Sequence, residues 1–252
     1  IDGGFSSDFT GLSAQAHFHP GYAVFSFDPI VYFAEGGTIA VNASNSVTLR
    51  NLAFISASSF AFGGGGGVVV NTKNLSLDNG GTITAESILG GPAGNVEINA
   101  SGQVIVTNFS QISSTTTGSG SGGNVVITAG QSTTVSSTSG IFASTVPPNQ
   151  DVLDFIASKQ LAGLGFPDWA SLQSFISDVT GIPNPTIFDV LRSLRDDFGV
   201  LAIPDSMLKP GDGGAISVTT PLLTVSGGAV SSSTGWDGNA GAVVGNVGSL
   251  VV

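Results

Sequence analysis

Gly67-Val-Val-Val-Asn71, Asn95-Val-Glu-Ile-Asn99 and Asn124-Val-Val-Ile-Thr128 are three statements of one phrase. Each is followed by a second phrase: Leu75-Ser-Leu77, Val104-Ile-Val106 and Thr133-Thr-Val135. Then comes a third: Ile83-Thr-Ala-Glu-Ser87, Ile112-Ser-Ser-Thr115 and Ile141-Phe-Ala-Ser-Thr145. Asn71 and Asn99 are 28 positions apart, Asn99 and Thr128 are 29, and Ile83, Ile112 and Ile141 follow at intervals of 29. A period of this size across 63–145 marks a stacked-repeat architecture, in which each unit buries its apolar face only against its neighbours.

Within each phrase the apolar residues alternate. Val68 and Val70, Val96 and Ile98, and Val125 and Ile127 fall on one side of their segments. Period-2 alternation with one apolar face predicts short half-buried strands, and the segments are too short and too rich in Gly and Thr for helices. Three such strands per repeat predict one coil of a parallel β-helix, a solenoid of about 29 residues per coil with three strands in each. Asn42, Asn71 and Asn99 share one register, which fits either a ladder of amides bonded along the stack or simple turn formation.

The repeats extend outward. Thr38–Asn42, Val47–Leu49 and Ile55–Ser58 make a further unit, and Gly11–Gln15 matches a third phrase alone. Downstream, Ala215–Val218, Leu223–Val225 and Val230–Ser233 make a fifth full unit. Ala242–Val244 and Leu250–Val252 begin a sixth that carries no polar cap, predicting an open edge. The chain opens Ile1-Asp2-Gly3 with neither Met nor a signal-peptide pattern, which points to a processed product or a piece of something longer.

Composition narrows the partners. The 252 residues include 37 Gly, 17 acidic and 6 basic residues and no Cys, for a net charge of −11. Only Arg50 and Lys73 lie outside 147–210, so no basic patch can neutralise nucleic-acid phosphates or anionic lipid. No apolar run approaches the roughly 20 residues of a spanning helix, so no membrane insertion is expected.

The recurring Gly-Gly-Asn-Val-Val-Ile-Thr phrase, the Val-rich strand, the Ile-Ser-Ala-Ser strand and the Gly-rich turn resemble the repeats of filamentous-haemagglutinin-type, two-partner-secretion-like exoproteins. They are closest in flavour to large cyanobacterial surface proteins of this kind. The resemblance covers roughly 11–15, 38–145 and 213–252. It implies a right-handed β-helix, export to the cell surface, and adhesive or structural work.

Repeat arithmetic also locates the irregular pieces. Thr128 and Thr219 are 91 positions apart, about one unit of 29 plus 62 extra, and an enlargement at 16–36 falls at the same corner. The chain thus divides into N-terminal units (1–146), a helical insertion (147–210) and C-terminal units (211–252). Pro and Gly punctuation predicts three helices in the insertion: from Pro148-Asn149 to Gly163, with Pro167 in the first turn to Gly181, and from Asn184-Pro185 to Gly199. Trp169, Leu172, Ile176 and Val179 form one apolar stripe, and Ile187, Leu191, Leu194 and Phe198 another. Asp189, Arg192 and Asp196 have ion-pair spacing.

Insertions at one corner of a stack often mark its working face. Phe18, Tyr22, Phe25, Phe27, Tyr32 and Phe33 in the smaller insertion, Phe60 and Phe62 in the next turn, and Trp169 therefore make up a candidate partner-binding corner. The competing reading is a packed lid.

Chemistry is sparse. His17 and His19 alternate on one segment, with Asp28 and Glu35 near in sequence, but a metal site needs three or more ligands and a supporting shell, so no metal or cofactor is expected. Glycoside hydrolysis needs two close carboxylates, and Asp78, Glu86, Glu97, Asp212 and Asp237 fall at different registers. Isolated Gly211-Asp-Gly-Gly214 and Trp236-Asp-Gly-Asn239 do not make calcium-binding nonapeptides. The outward third-strand positions, Ser56, Thr84, Ser113, Phe142 and Ser231, are not the regular threonine array of an ice-binding face. The expectation is a non-catalytic extracellular adhesin or self-assembling fibre or matrix protein. It would associate through open ends or hold a carbohydrate or protein ligand at the insertion-bearing face. The alternative is a polysaccharide-binding or polysaccharide-degrading enzyme.

Overall fold

The computed structural model describes residues 11–13, 35–59, 63–88, 90–155, 157, 164–199, 205, 208–235 and 238–252. Strands β1 (Gly11–Ser13), β2 (Ile39–Arg50), β3 (Phe54–Ser56), β4 (Val68–Asp78) and β5 (Thr82–Thr84) open the fold. Next come β6 (Val96–Ala100), β7 (Gln103–Val106), β8 (Gln111–Ser113) and β9 (Thr116–Thr117). They are followed by β10 (Val125–Ala129), β11 (Ser132–Ser136), β12 (Gly140–Phe142) and β13 (Thr145–Val146). Helices α1 (Gln150–Phe155), α2 (Trp169–Thr180) and α3 (Ile187–Asp196) intervene before β14 (Ile216–Ser226), β15 (Ala229–Ser231) and β16 (Val243–Val251).

The chain is mostly β, and its named strand pairs are parallel. A six-stranded sheet runs β1-β3-β5-β8-β12-β15, an eight-stranded sheet holds β2, β4, β6, β7, β10, β11, β14 and β16, and β9 pairs with β13. Ile83 lies opposite Ile112, and Ile112 opposite Ile141, so the 29-residue sequence period is a pairing period.

The expected right-handed parallel β-helix with three strands per coil is corrected by the larger sheet. β4 pairs with β6 along Val68–Thr72 and with β7 along Leu75–Leu77. β14 pairs in the same double way with β10 and β11. With β6–β10 and β7–β11 joined, the pairings close into a six-strand parallel barrel, β10-β6-β4-β7-β11-β14, flanked by β2 and β16.

The physical reason lies at the joint between the first and second phrases. Ser101-Gly102 and Gly130-Gln131 break the backbone there, leaving two strands. Thr72-Lys73-Asn74 and Thr220-Pro221-Leu222 carry no glycine and stay extended, fusing two expected strands into one of 11 residues.

The core is built of registered columns. Ile55, Ile83, Ile112 and Ile141 are fully buried in successive strands of the six-stranded sheet. Val68, Val96, Val125 and Ile216 do the same in the larger one. Burying each such side chain contributes about 1.5–3 kcal/mol. Just before β4, β6, β10 and β14 runs a column of glycines. A Cβ on Gly94 would run into the Gly66 carbonyl oxygen, one on Gly123 into that of Gly94, and one on Gly214 into that of Gly123. Successive levels approach there more closely than any side chain permits.

The insertion leaves the stack unbroken. Val125 still pairs with Ile216, and the insertion's base is closed by bridges from Ser119 and Gly120 to Pro210. Asp168 caps α2, so Pro167 lies before the helix and not in its first turn: the Asp168 carboxylate accepts the Ser171 N–H at 2.8 Å, and Gly181 ends the helix with φ 74°. Thr186 and Asp189 form a capping box at the start of α3. Trp169, Leu172, Ile176, Phe188, Leu191 and Leu194 make a separate core, against which Ile88 of the repeat stack packs.

Candidate association surfaces

Four surfaces stand out, and the first is a run of amides. Asn71 donates through Nδ2 to Asn42 Oδ1 at 2.8 Å, and Asn99 donates to Asn71 Oδ1 at 3.0 Å. The same register continues through Thr128 and Thr219 to Asn246. Asn99 also donates to Glu97 Oε1 at 2.7 Å. β2 changes register between Ala43 and Ser46, and this irregularity opens a shallow groove of about 390 Å³ lined by Asn42, Ser44, Asn71, Lys73 and Ser101.

The second surface is β16. It continues the apolar columns, with Val243 opposite Ile216 and Leu250 opposite Leu223. Ile216 is fully buried and Leu223 nearly so, whereas Val243 is 50% and Leu250 58% exposed. Among the described residues β16 pairs only with β14.

The third is the helical unit. Trp169, placed at the candidate binding corner by sequence, is buried at 3% exposure, and its backbone N–H donates to Asp154 at 3.0 Å. It fills the helical core and is not part of a surface. Phe175 and Phe198 are exposed instead: the Phe166 and Phe175 ring centroids are 5.3 Å apart and those of Phe175 and Phe198 5.6 Å. Of the two stripes, Trp169, Leu172, Ile176, Ile187, Leu191 and Leu194 are buried, and Val179 and Phe198 at their ends are exposed. Phe18, Tyr22, Phe25, Phe27, Tyr32, Phe33, Phe60 and Phe62, with His17, His19 and Asp28, lie outside the described residues.

The fourth surface was not found by sequence reasoning. Leu52 and Phe109 sit at equivalent positions in the corner before the third strand and are exposed at 74% and 71%. Both hold left-handed backbone, φ 64° and 62°, which L-residues with bulky side chains seldom adopt. The signal available was an apolar residue after Asn in Asn51-Leu52 and Asn108-Phe109, where the sister turn reads Asn79-Gly80.

Ionic chemistry is local. Arg195 contacts Asp196 and Asp205 at 2.6 Å each, and these hydrogen bonds hold its guanidinium protonated and the Asp196 carboxyl below its ordinary range. Arg192 meets Asp189 at 3.3 Å, while Asp196 of the expected cluster turns to Arg195. Glu86 is half-buried beside the hydroxyls of Ser58 and Ser113. Burial pushes its carboxyl above the usual carboxylate value, against a lowering hydrogen bond from Ser113. Asp78 is paired in register with Arg50, and Glu97 lies between Val69 and Val126, so these acids stand at separate registers.

Among the described residues there is no group of three or more His, Cys, Asp or Glu placed to hold a metal, and no helix long and apolar enough to cross a membrane. Comparison with protein-family models, with curated proteins and with solved structures finds no match for this chain.

Proposed function

We propose that the chain is a non-catalytic element of an extracellular surface or matrix assembly, working by association rather than by chemistry on a substrate. One observation carries this reading: β16 continues the buried apolar columns with Val243 and Leu250 half exposed, a surface on which a further strand, of this protein or of a partner, can be added. A further parallel strand added there would bury both side chains and satisfy the backbone, the general mode of strand addition at a sheet edge. The resemblance of the repeats to filamentous-haemagglutinin-type exoproteins supports the extracellular setting. So does the scarcity of basic residues, which disfavours nucleic acid and anionic membranes as partners. Electron microscopy and fibre diffraction of the purified chain test it. Filaments with an axial repeat of about 4.8 Å are expected, and discrete particles at all concentrations would remove the self-assembling form of the proposal.

A second reading, ligand presentation by the helical unit, is favoured by the exposed Phe175 and Phe198 beside Phe166. Its ligand class is an apolar protein segment or the apolar face of a carbohydrate. Screening against glycan and peptide arrays tests it: Phe175→Ser should abolish any signal, and a signal unaffected by that change rejects the helical unit as the site.

A further inference from the structure

The corner bearing Leu52 is a ladder of five levels. The Leu52 N–H donates to Asn79 O, Gly80 N–H to Asn108 O, Phe109 N–H to Ser137 O, and Thr138 N–H to Gly227 O. Leu52, Gly80, Phe109 and Thr138 thus follow one another along the stack, and the fifth turn, one residue shorter, presents only Gly227 and Gly228 between Ser226 and Ala229, which leaves Phe109 at the centre. At one end Leu52 leans across Gly80, where a Cβ would lie 2.6 Å from Leu52 Cδ2. At the other end the floor is low: Thr138 is exposed, and a Cβ on Gly227 would meet nothing closer than Ser137 N at 3.9 Å. The sequence sets an apolar ridge, a central phenyl ring and a flat shelf in a row.

Such a row is complementary to itself. A two-fold axis through Phe109, perpendicular to the stack, lays the Leu52 ridge of one copy on the Gly227 shelf of the other. It also sets Gly80 against Thr138 and stacks Phe109 on its own mate. Closed association about a two-fold axis requires one patch to fit itself in this way, and offset aromatic stacking is a favourable centre for it. Electrostatics permits it despite the net charge of −11, because the charges flanking these levels are one Arg50 and one Asp78, paired to each other in register. Under the same axis they face Ser226 and Ser136, so no like charges meet.

Backbone strain points the same way. At both positions Gly or Asn would relieve the left-handed conformation at no cost to the core, since the side chains are outside it. We propose that this corner is a homotypic interface, through which two copies of the chain pair side by side about Phe109. The pairing is independent of strand addition at β16 and uses a different face of the stack.

Sedimentation velocity of the purified chain over a range of concentrations tests the proposal. The expected result is a reversible dimer, weakened roughly tenfold or more in the double variant L52N/F109N. Asn is well suited to left-handed backbone, so this variant should keep or exceed the wild-type melting temperature. Leu250→Lys, which blocks addition at β16, should leave the dimer intact. Phe109→Cys supplies a register-specific readout in a chain without cysteine: oxidation should give one covalent dimer, whereas Val179→Cys on the helical unit should not. A chain that stays monomeric at every concentration overturns the pairing. So does a dimer that survives L52N/F109N, or one that Phe109→Cys fails to cross-link.

Discussion

Asn71 is a donor to Asn42 at 2.8 Å and an acceptor from Asn99 at 3.0 Å, so one amide ties three successive levels of the stack together. Its neighbours each lose only one of these bonds when it is replaced, whereas Asn71 itself makes both. Asn71→Ala should therefore cost about 1–2 kcal/mol of stability, the net worth of two partly exposed hydrogen bonds. Asn42→Ala, which removes a single exposed acceptor, should cost less. Urea unfolding midpoints of the two variants check the order, and equal losses would contradict the shared-amide account.

Gly94 and Gly67 lie in neighbouring Gly-rich turns but face different surroundings. A Cβ on Gly94 would collide with the backbone carbonyl of Gly66, which cannot move without opening the stack. A Cβ on Gly67 would first meet Thr38 Cγ2 at an ordinary 3.8 Å. Gly94→Ala should cost about 3 kcal/mol or prevent folding, while Gly67→Ala should change little. Soluble yield and melting temperature of the two single variants distinguish them.

Thr133 occupies an inward position between Val104 and Leu223 in an otherwise apolar column, and its buried hydroxyl has no hydrogen-bond partner. Replacing it with the near-isosteric valine removes a desolvated polar atom and keeps the shape. Thr133→Val should stabilise the chain by about 1 kcal/mol. An unfolding midpoint unchanged or lowered by this substitution would sink the prediction.

Glu86 sets a pH dependence whose sign follows from its raised pKa. A carboxyl that holds its proton more tightly when folded than when unfolded favours the folded state at low pH. That stability is fully present below the unfolded value, near 4.5, and is lost as pH rises through the folded value. Glu86→Gln should therefore raise stability at neutral pH and flatten the curve above about pH 4.5. Denaturant midpoints of both proteins across mildly acidic to neutral pH provide the check, with a parallel pair of curves as the refuting outcome.

Asp168 contributes in the opposite sense. Its carboxyl, held below the usual range by the Ser171 N–H, stabilises α2 above the ordinary carboxylate value and ceases to do so as pH falls. Asp168→Ala should fray the start of α2, and amide exchange at Ser171 should rise in the variant at neutral pH.

Alternation and spacing made the strand positions, their register and the inward columns legible, because period-2 patterning is a local property and the stack repeats it. The number of strands per repeat was not legible. It depends on whether a bend such as Thr72-Lys73-Asn74 keeps extended backbone, and that is decided by the residues paired on either side. The ends of α2 and α3 were read to within a few residues, with Pro167 and Pro185 lying just outside the caps that Asp168 and Thr186 provide, while the expected end of the first helix at Gly163 lies outside the described residues. Trp169 was misplaced because an apolar stripe fixes which residues share a face without saying which face is covered. Leu52 and Phe109 escaped notice because an exposed apolar residue in a turn has no periodic signature; their one local mark is an apolar residue after Asn where the sister turn has Gly80.

The pairing of Val125 with Ile216 has a kinetic consequence. Most neighbouring strands are joined by loops of about 29 residues, and this seam closes one of 91. Loop-closure entropy grows only with the logarithm of length, so the longer loop costs about 1 kcal/mol more. Small as that is, it falls at a single junction, and contacts distant in sequence form late. The levels before the seam should gather as one cooperative unit and those after it dock as a second. Cutting the chain within the helical insertion should then yield two fragments able to find each other again.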